Sequence, residues 1–215
     1  MKERGMIFNA EMVRALLDGR KTQTRRIIKD CTVGRDPISK FIKIGKKFIG
    51  CYPEDVPELI RECCPYGVPG DRIWVRETWA EAGASAPDLK LYRANYPEHV
   101  PSIYENVPPA EEFRWTPSIH MPRTASRILL EITDVRVERL NAISEEDAEA
   151  EGIDMEALYD SQDCYDCIAD HNMTGRPTVT GAFKYLWESI YGEEGWKSNP
   201  WVWVIEFKRV EGGAE

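Results

Sequence analysis

The chain has 215 residues, 42% hydrophobic and 30% charged, and a formal net charge of −9. That is ordinary for a globular domain and long enough for one core with insertions, and no apolar run reaches the ~18 residues a membrane-spanning helix needs. The acidic balance argues against a surface that coats nucleic acid, and Met1-Lys2-Glu3-Arg4-Gly5 is not followed by the apolar stretch of a secretory signal; both predict a cytoplasmic protein, with no membrane partner, whose six cysteines are thiols or metal ligands.

Gly5-Met6-Ile7-Phe8 reads as a short apolar strand. Asn9 has the chemistry of an N-cap for a helix over Ala10 to Asp18, in which Met12, Val13, Leu16 and Leu17 recur at helical spacing. Gly19 suits the residue just past the helix end. The octet Gly19-Arg20-Lys21-Thr22-Gln23-Thr24-Arg25-Arg26 then packs four cations and two hydroxyls together. As a strand, alternation puts Lys21, Gln23 and Arg25 on one face and Arg20, Thr22, Thr24 and Arg26 on the other. Such residues do not build an apolar core, so the octet is expected to be exposed, as a solvated loop or along a cleft.

Residues 30–69 read as an inserted hairpin or loop, with Phe41-Ile42-Lys43-Ile44 as one apolar stretch. Gly70-Asp71 supplies turn chemistry before a strand over Arg72 to Thr78. Residues 82–122 are rich in Pro, Ser and aromatics; Tyr92, Tyr96, Tyr104, Phe113 and Trp115 predict an ordered lid, with one strand near Leu89 to Ala94. Arg123 and Arg127, with Thr124 and Ser126 between them, lead into a long strand over Ile128 to Leu140 with a bulge near Thr133-Asp134. Ser144 and Asp147 have capping-box spacing for a short acidic helix ending at Gly152. A second amphipathic helix over Val179 to Tyr191 shows Phe183, Leu186, Trp187 and Ile190 on one face, and Trp201 to Val210 is the last strand. These elements predict an α+β fold with a mainly antiparallel sheet, in a single domain over 1–211 with a short tail at 212–215.

Charge is divided along the chain. Residues 1–47 carry 13 Lys and Arg against 5 Asp and Glu, whereas residues 141–170 carry 11 acidic groups and no Lys or Arg. Either the chain presents a focused anion site, or the basic and acidic segments fold against each other.

Several stretches, in order, resemble the ASCH domain family, a relative of the PUA fold. They are the octet with Gly19, Lys21, Thr24 and Arg26; Gly70-Asp71 leading into Arg72 to Glu77; Ala148 to Gly152; and Trp203 to Phe207. The chain is similar to the longer ASCH proteins of phages and prophages, with insertions near 30–69, 80–122 and 154–179. The resemblance implies a PUA-like, mainly antiparallel β-barrel with flanking helices. It also implies a cleft that takes RNA, single-stranded nucleic acid or a modified nucleoside.

More distantly, the octet resembles that of the bacterial acetylcytidine amidohydrolases, whose catalytic lysine, threonine and glutamate fall on Lys21, Thr24 and Glu151. A hydroxyl attacks an acyl carbon only when a base takes its proton, and a lysine can be that base only if its pKa is lowered. Arg20, Arg25, Arg26, Arg123 and Arg127 are candidate phosphate contacts, and Trp79, with Trp74 and Trp115, a candidate base-stacking surface. Cys164, Cys167 and His171 have spacing that suits three zinc ligands, with Cys51, Cys63 or Cys64 as a fourth. The favoured function is nucleotide or nucleic-acid binding in a basic cleft that recognises a modified base or an RNA or DNA end; the alternatives are an amidohydrolase on acylated cytidine or a nuclease in the same cleft, and a prophage protein-interaction module built on residues 141–170.

Overall fold

The computed structural model describes residues 1–28, 64–83, 86–104, 106–160 and 178–210, together with the backbone of two strands at 41–44 and 47–50. Its centre is a five-stranded sheet in the order β1 (Glu3–Ile7), β5 (Arg72–Arg76), β8 (Leu129–Arg139), β9 (Trp201–Arg209), β2 (Gln23–Ile27). β1 runs parallel to β5 and every other neighbouring pair is antiparallel. Two small hairpins stand apart from it, β3 (Phe41–Ile44) with β4 (Lys47–Gly50), and β6 (Trp79–Glu81) with β7 (Lys90–Tyr92). The mixed α+β class and the mostly antiparallel sheet agree with the sequence.

Closure into a barrel is not seen among the described residues. β1 and β2 are the two edges, and no ladder joins them. A side chain reaches between them instead: Arg26 Nη2 in β2 donates to the carbonyl of Ile7 in β1 at 2.9 Å, and its guanidinium lies 5.3 Å from the ring centroid of Phe8.

Helix α1 (Ala10–Leu17) packs on one face of the sheet. Asn9 Oδ1 accepts from Met12 N at 2.8 Å, the expected cap, and Gly19 takes φ +77°, where a Cβ would be strained. Met12, Val13 and Leu16 meet Ile73, Leu130 and Ile205 in the larger core. The opposite face of β9 presents Val202 and Val204 to Leu140, Ala148, Phe183 and Trp187. That second core docks α2 (Glu145–Ala150) and α3 (Val179–Tyr191), which is followed by the short α4 (Glu193–Lys197). β9 is thus covered on both sides, which explains its unbroken apolar run Trp201 to Ile205. The bulge in β8 falls between Ile132 and Asp134, where the pairing with β9 shifts register.

α2 starts as its sequence demands, with Ser144 Oγ accepting from Asp147 N at 3.1 Å and three acidic residues in the positive first turn. It ends at Glu151, and Gly152 turns the chain at φ +95°. A Cβ there would lie 2.8 Å from Ala15 Cβ and 2.9 Å from Lys21 Cβ. Only glycine lets the end of α2, the end of α1 and the start of the octet meet. Gly152→Ala adds backbone strain of about 1–2 kcal/mol to that overlap, so a loss of at least ~2 kcal/mol in a urea titration is expected.

Candidate functional site

Half of the octet does not lie on the surface, whereas Gly19 and Thr22 are exposed and Arg20 and Arg26 are half-buried. Lys21, Gln23, Thr24 and Arg25 are all buried, at 3%, 2%, 1% and 2% exposure. The expectation of an exposed basic stretch is therefore corrected, and the reason is the second arrangement the charge pattern allowed: the basic segment folds against the acidic one. Backbone bonds bring them together, from Lys21 N to Ala15 O at 3.0 Å and from Thr22 N to Ala150 O at 2.9 Å, and Lys21 bridges to Glu151 as an isolated β pair.

The predicted alternation holds. Lys21, Gln23 and Arg25 all point to α2. Lys21 Nζ donates to Glu151 Oε2 and to the Glu151 carbonyl, both at 2.7 Å. Gln23 Nε2 donates to the Asp147 carbonyl at 2.6 Å. Arg25 donates to Glu151 Oε1 at 3.3 Å, to Asp147 Oδ2 at 2.8 Å and to Glu138 Oε2 at 3.3 Å. Arg136 of β8 closes the network on Glu138 at 2.6 Å, Asp147 at 2.8 Å and Glu206. Sequence reading missed Arg136. Its signal was its place on the same strand face as Glu138, two residues on.

Burial is the largest influence on Lys21 and pushes its ammonium below the ordinary lysine value; Glu151 pushes it up, and Arg26 and Arg25 push it down again. Burial would raise the Asp147 carboxyl, but Arg136 and Arg25 hold it below the usual aspartate range.

Thr24 sits on the other face of β2. Its Oγ1 is buried and has no hydrogen-bond partner among the described residues. It lines a small cavity of about 10 Å³ with Arg25, Arg26 and Glu151, beside Phe183 and Leu186 of α3. That is room for about one water-sized group. Glu151, Met12 and Leu186 also line a second, open cavity of about 580 Å³, bordered by Arg14, Arg20 and Tyr185. Arg20 at its rim donates to the Gly152 carbonyl and to Asp18, both at 2.8 Å.

The other candidates lie elsewhere. Arg127 makes a bidentate pair with the buried Glu77 at 2.9 and 3.0 Å, bonds Asn95, and stacks 4.0 Å from the ring centroid of Tyr92. Arg123 pairs with Glu3 at 2.9 Å. Trp79 is 9% exposed and packs with Tyr92, Met121 and Ala125 in a small separate core. No described contact joins these residues to Lys21, Thr24 or Glu151. Trp115 belongs to an aromatic cluster with Tyr96 and Phe113, the order expected of that insertion. Cys164, Cys167 and His171 lie outside the described residues, as do Cys51 and Cys63; among the described residues no cluster of His, Cys, Asp and Glu has the make-up of a metal site. No described helix is long and apolar enough to cross a membrane.

No family model, curated protein or solved structure matches the chain. The resemblance drawn from the octet therefore rests on the motifs themselves.

Two outcomes test this geometry. A pKa held down in the folded state stabilises the fold above the ordinary aspartate value, about 3.9, and that stabilisation is lost as pH falls through the lower folded value. Asp147→Asn should therefore flatten the fall in urea midpoint between about pH 5 and pH 2. Thr24→Val removes an unpartnered buried hydroxyl, so the melting temperature should hold or rise; a loss of more than about 1 kcal/mol would mean that the hydroxyl has a partner.

Proposed function

We propose that this protein hydrolyses the amide of a small acylated nucleoside, with Thr24 as nucleophile, Lys21 as its base and Glu151 as the carboxylate that holds the base. The observation that carries this reading is an orphan. Thr24 Oγ1 is buried without a partner among the described residues, in a cavity it shares with the carboxylate that grips Lys21. Buried hydroxyls are normally satisfied, and one left free at a charged site suits a group that meets substrate. The motif resemblance points to the same three residues independently.

The chemistry balances without further reactants. Neutral Lys21 takes the Thr24 proton by way of the Glu151 carboxylate, which lines the Thr24 cavity and accepts from Lys21 Nζ, as Oγ1 attacks the acyl carbon. The carbon–nitrogen bond then breaks, and Lys21 returns the proton to the departing amine. Water attacks the resulting threonyl ester, losing a proton to Lys21, and Lys21 hands that proton to the departing Thr24 Oγ1 as the carboxylic acid is released. The 580 Å³ cavity is of the size that takes drug-sized ligands, and Glu151 stands in its wall.

Binding to RNA or a single-stranded end needs free cations for phosphates. Here Arg20 and Arg25 are engaged by carboxylates and Arg26 by a carbonyl, which favours a small neutral substrate over a polyanion. Zinc enters no step of this reading. The acidic segment also loses Asp147 and Glu151 to the interior network, which leaves it less to offer a protein partner.

The test is conversion of a panel of N-acylated nucleosides, read by mass spectrometry. Wild type should convert at least one. Thr24→Val and Lys21→Met should each lower turnover at least about 100-fold, since each removes a participant in the proton transfer. Lys21→Met should also lower stability by about 3 kcal/mol, because it strips a buried carboxylate of one partner. Binding of a nucleoside with no conversion would make the site a reader of modified bases. The absence of both binding and conversion would refute the proposal.

A further inference from the structure

The role of Arg25 is not explained by the chemistry above. Its side chain has no exposed surface, and its guanidinium lies 5.9 Å from the ring centroid of Phe183 in α3. Five planar donors let an arginine hold several carboxylates at fixed angles, where an ammonium would act as a point charge. Arg25 uses them on Glu151, Asp147 and Glu138. Glu151 is consequently shared: Lys21 occupies Oε2 and Arg25 faces Oε1.

This sharing matters because a buried ammonium 2.7 Å from a carboxylate of its own would be held protonated by the strong attraction of unscreened charges. We propose that Arg25 is the positioning residue for Lys21: by facing the second oxygen of their common carboxylate it orients Glu151 and divides its charge, leaving Lys21 able to act as a base. The inference rests on the reading of Lys21 as the base.

The charged groups around Lys21 are few. Glu151 comes from the end of α2, and Arg25 and Arg26 from β2. Arg20, next in the chain, is turned to Asp18 and Asp154. From α1, the nearest contact is the backbone of Ala15. Asp147 and Glu138 are one contact further out, and each is also held by Arg136. Arg136 can therefore keep those two carboxylates paired when Arg25 is replaced. Glu151 keeps only Lys21.

The sign follows. Burial and Arg26 still act on Lys21, but without the Arg25 charge Glu151 stabilises its ammonium more fully, and the proton leaves at higher pH. The experiment uses the full chain with ¹³C- and ¹⁵N-labelled lysine, the Lys21 resonance being assigned by its loss in Lys21→Met. In Arg25→Met, Lys21 should bind its proton at least about tenfold more tightly, a rise of one pH unit in its titration midpoint. Arg25→Gln, which keeps donors for the carboxylates without the charge, should shift it in the same direction and serves if the Met variant does not fold. Arg25→Lys, which restores the charge, should return most of the shift. On an acylated nucleoside that wild type converts, the acid limb of kcat/KM should move by the same amount in the same variants, and a merely structural arginine would not move it.

A Lys21 midpoint unchanged in either folded variant would overturn the proposal, and so would equal shifts in Arg25→Lys and Arg25→Met. If the midpoint moves as expected while wild type converts no acylated nucleoside, the base role falls and the hydrolase reading falls with it. The two failures are thus told apart by the titration, which needs no turnover.

Discussion

The salt bridge between Lys21 and Glu151 is the constraint on which the arrangement of this protein turns. The two residues are 130 positions apart in the chain, and both are almost wholly withdrawn from water. Two charges in that position gain from each other about what they lose by leaving solvent, so the pair is a poor source of net stability. It is a strict condition on geometry all the same. β2, the last turn of α2 and the glycine that follows must sit where both charges are met. Arg25 and Arg136 extend the condition to Asp147, Glu138, Gln23 and Glu206, so a sheet edge and a short helix are locked by polar contacts where an apolar interface would have sufficed for folding alone. A structure that retains such a network is organised around what its charges do.

The cover over this network comes from two sides of the sheet. α1 contributes Met12 and α3 contributes Phe183, Leu186 and Trp187, meeting around the outer strand β2. Met12 and Leu186 line both cavities, so they form the apolar part of the wall between the Thr24 hydroxyl and the open one. A substrate in the larger space would touch Glu151 before it could approach Thr24. Met12 and Leu186 thus border both the hydroxyl's cavity and the larger one.

Much of this was legible in the sequence because it was local. The Asn9 and Ser144 caps, the glycine after α1, the bulge at Thr133 and the alternation of Lys21, Gln23 and Arg25 each depend on neighbours within a few positions. The burial of the octet was not legible in that way. Four cations in eight residues read as solvated until their partners are known, and Asp147 and Glu151 lie more than 120 positions away. Only the opposed charges of the two segments hinted at the pairing. The separation of Arg123 and Arg127 from the octet was hidden for the same reason: Glu77 and Asn95, which claim Arg127, belong to a stretch whose spatial place depends on the strand order. Barrel closure was an implication of the motif resemblance, and the described sheet instead leaves its two edges joined by Arg26.

The strand order also bears on how the molecule comes into being. The first three elements of the chain end up divided: β1 lies at one edge of the sheet and β2 at the other, with β5, β8 and β9 between them. Among the described residues β2 has β9 as its only neighbour, and β9 begins at Trp201. The octet is synthesised early and cannot pair until the last strand has left the ribosome. Until then β2 lacks the strand it pairs with. Such long-range closure slows folding, since chain entropy is lost before the distant contacts are gained. A chain lacking β9 would keep the octet, α1 and α2 but lose the ladder that holds β2 in the sheet.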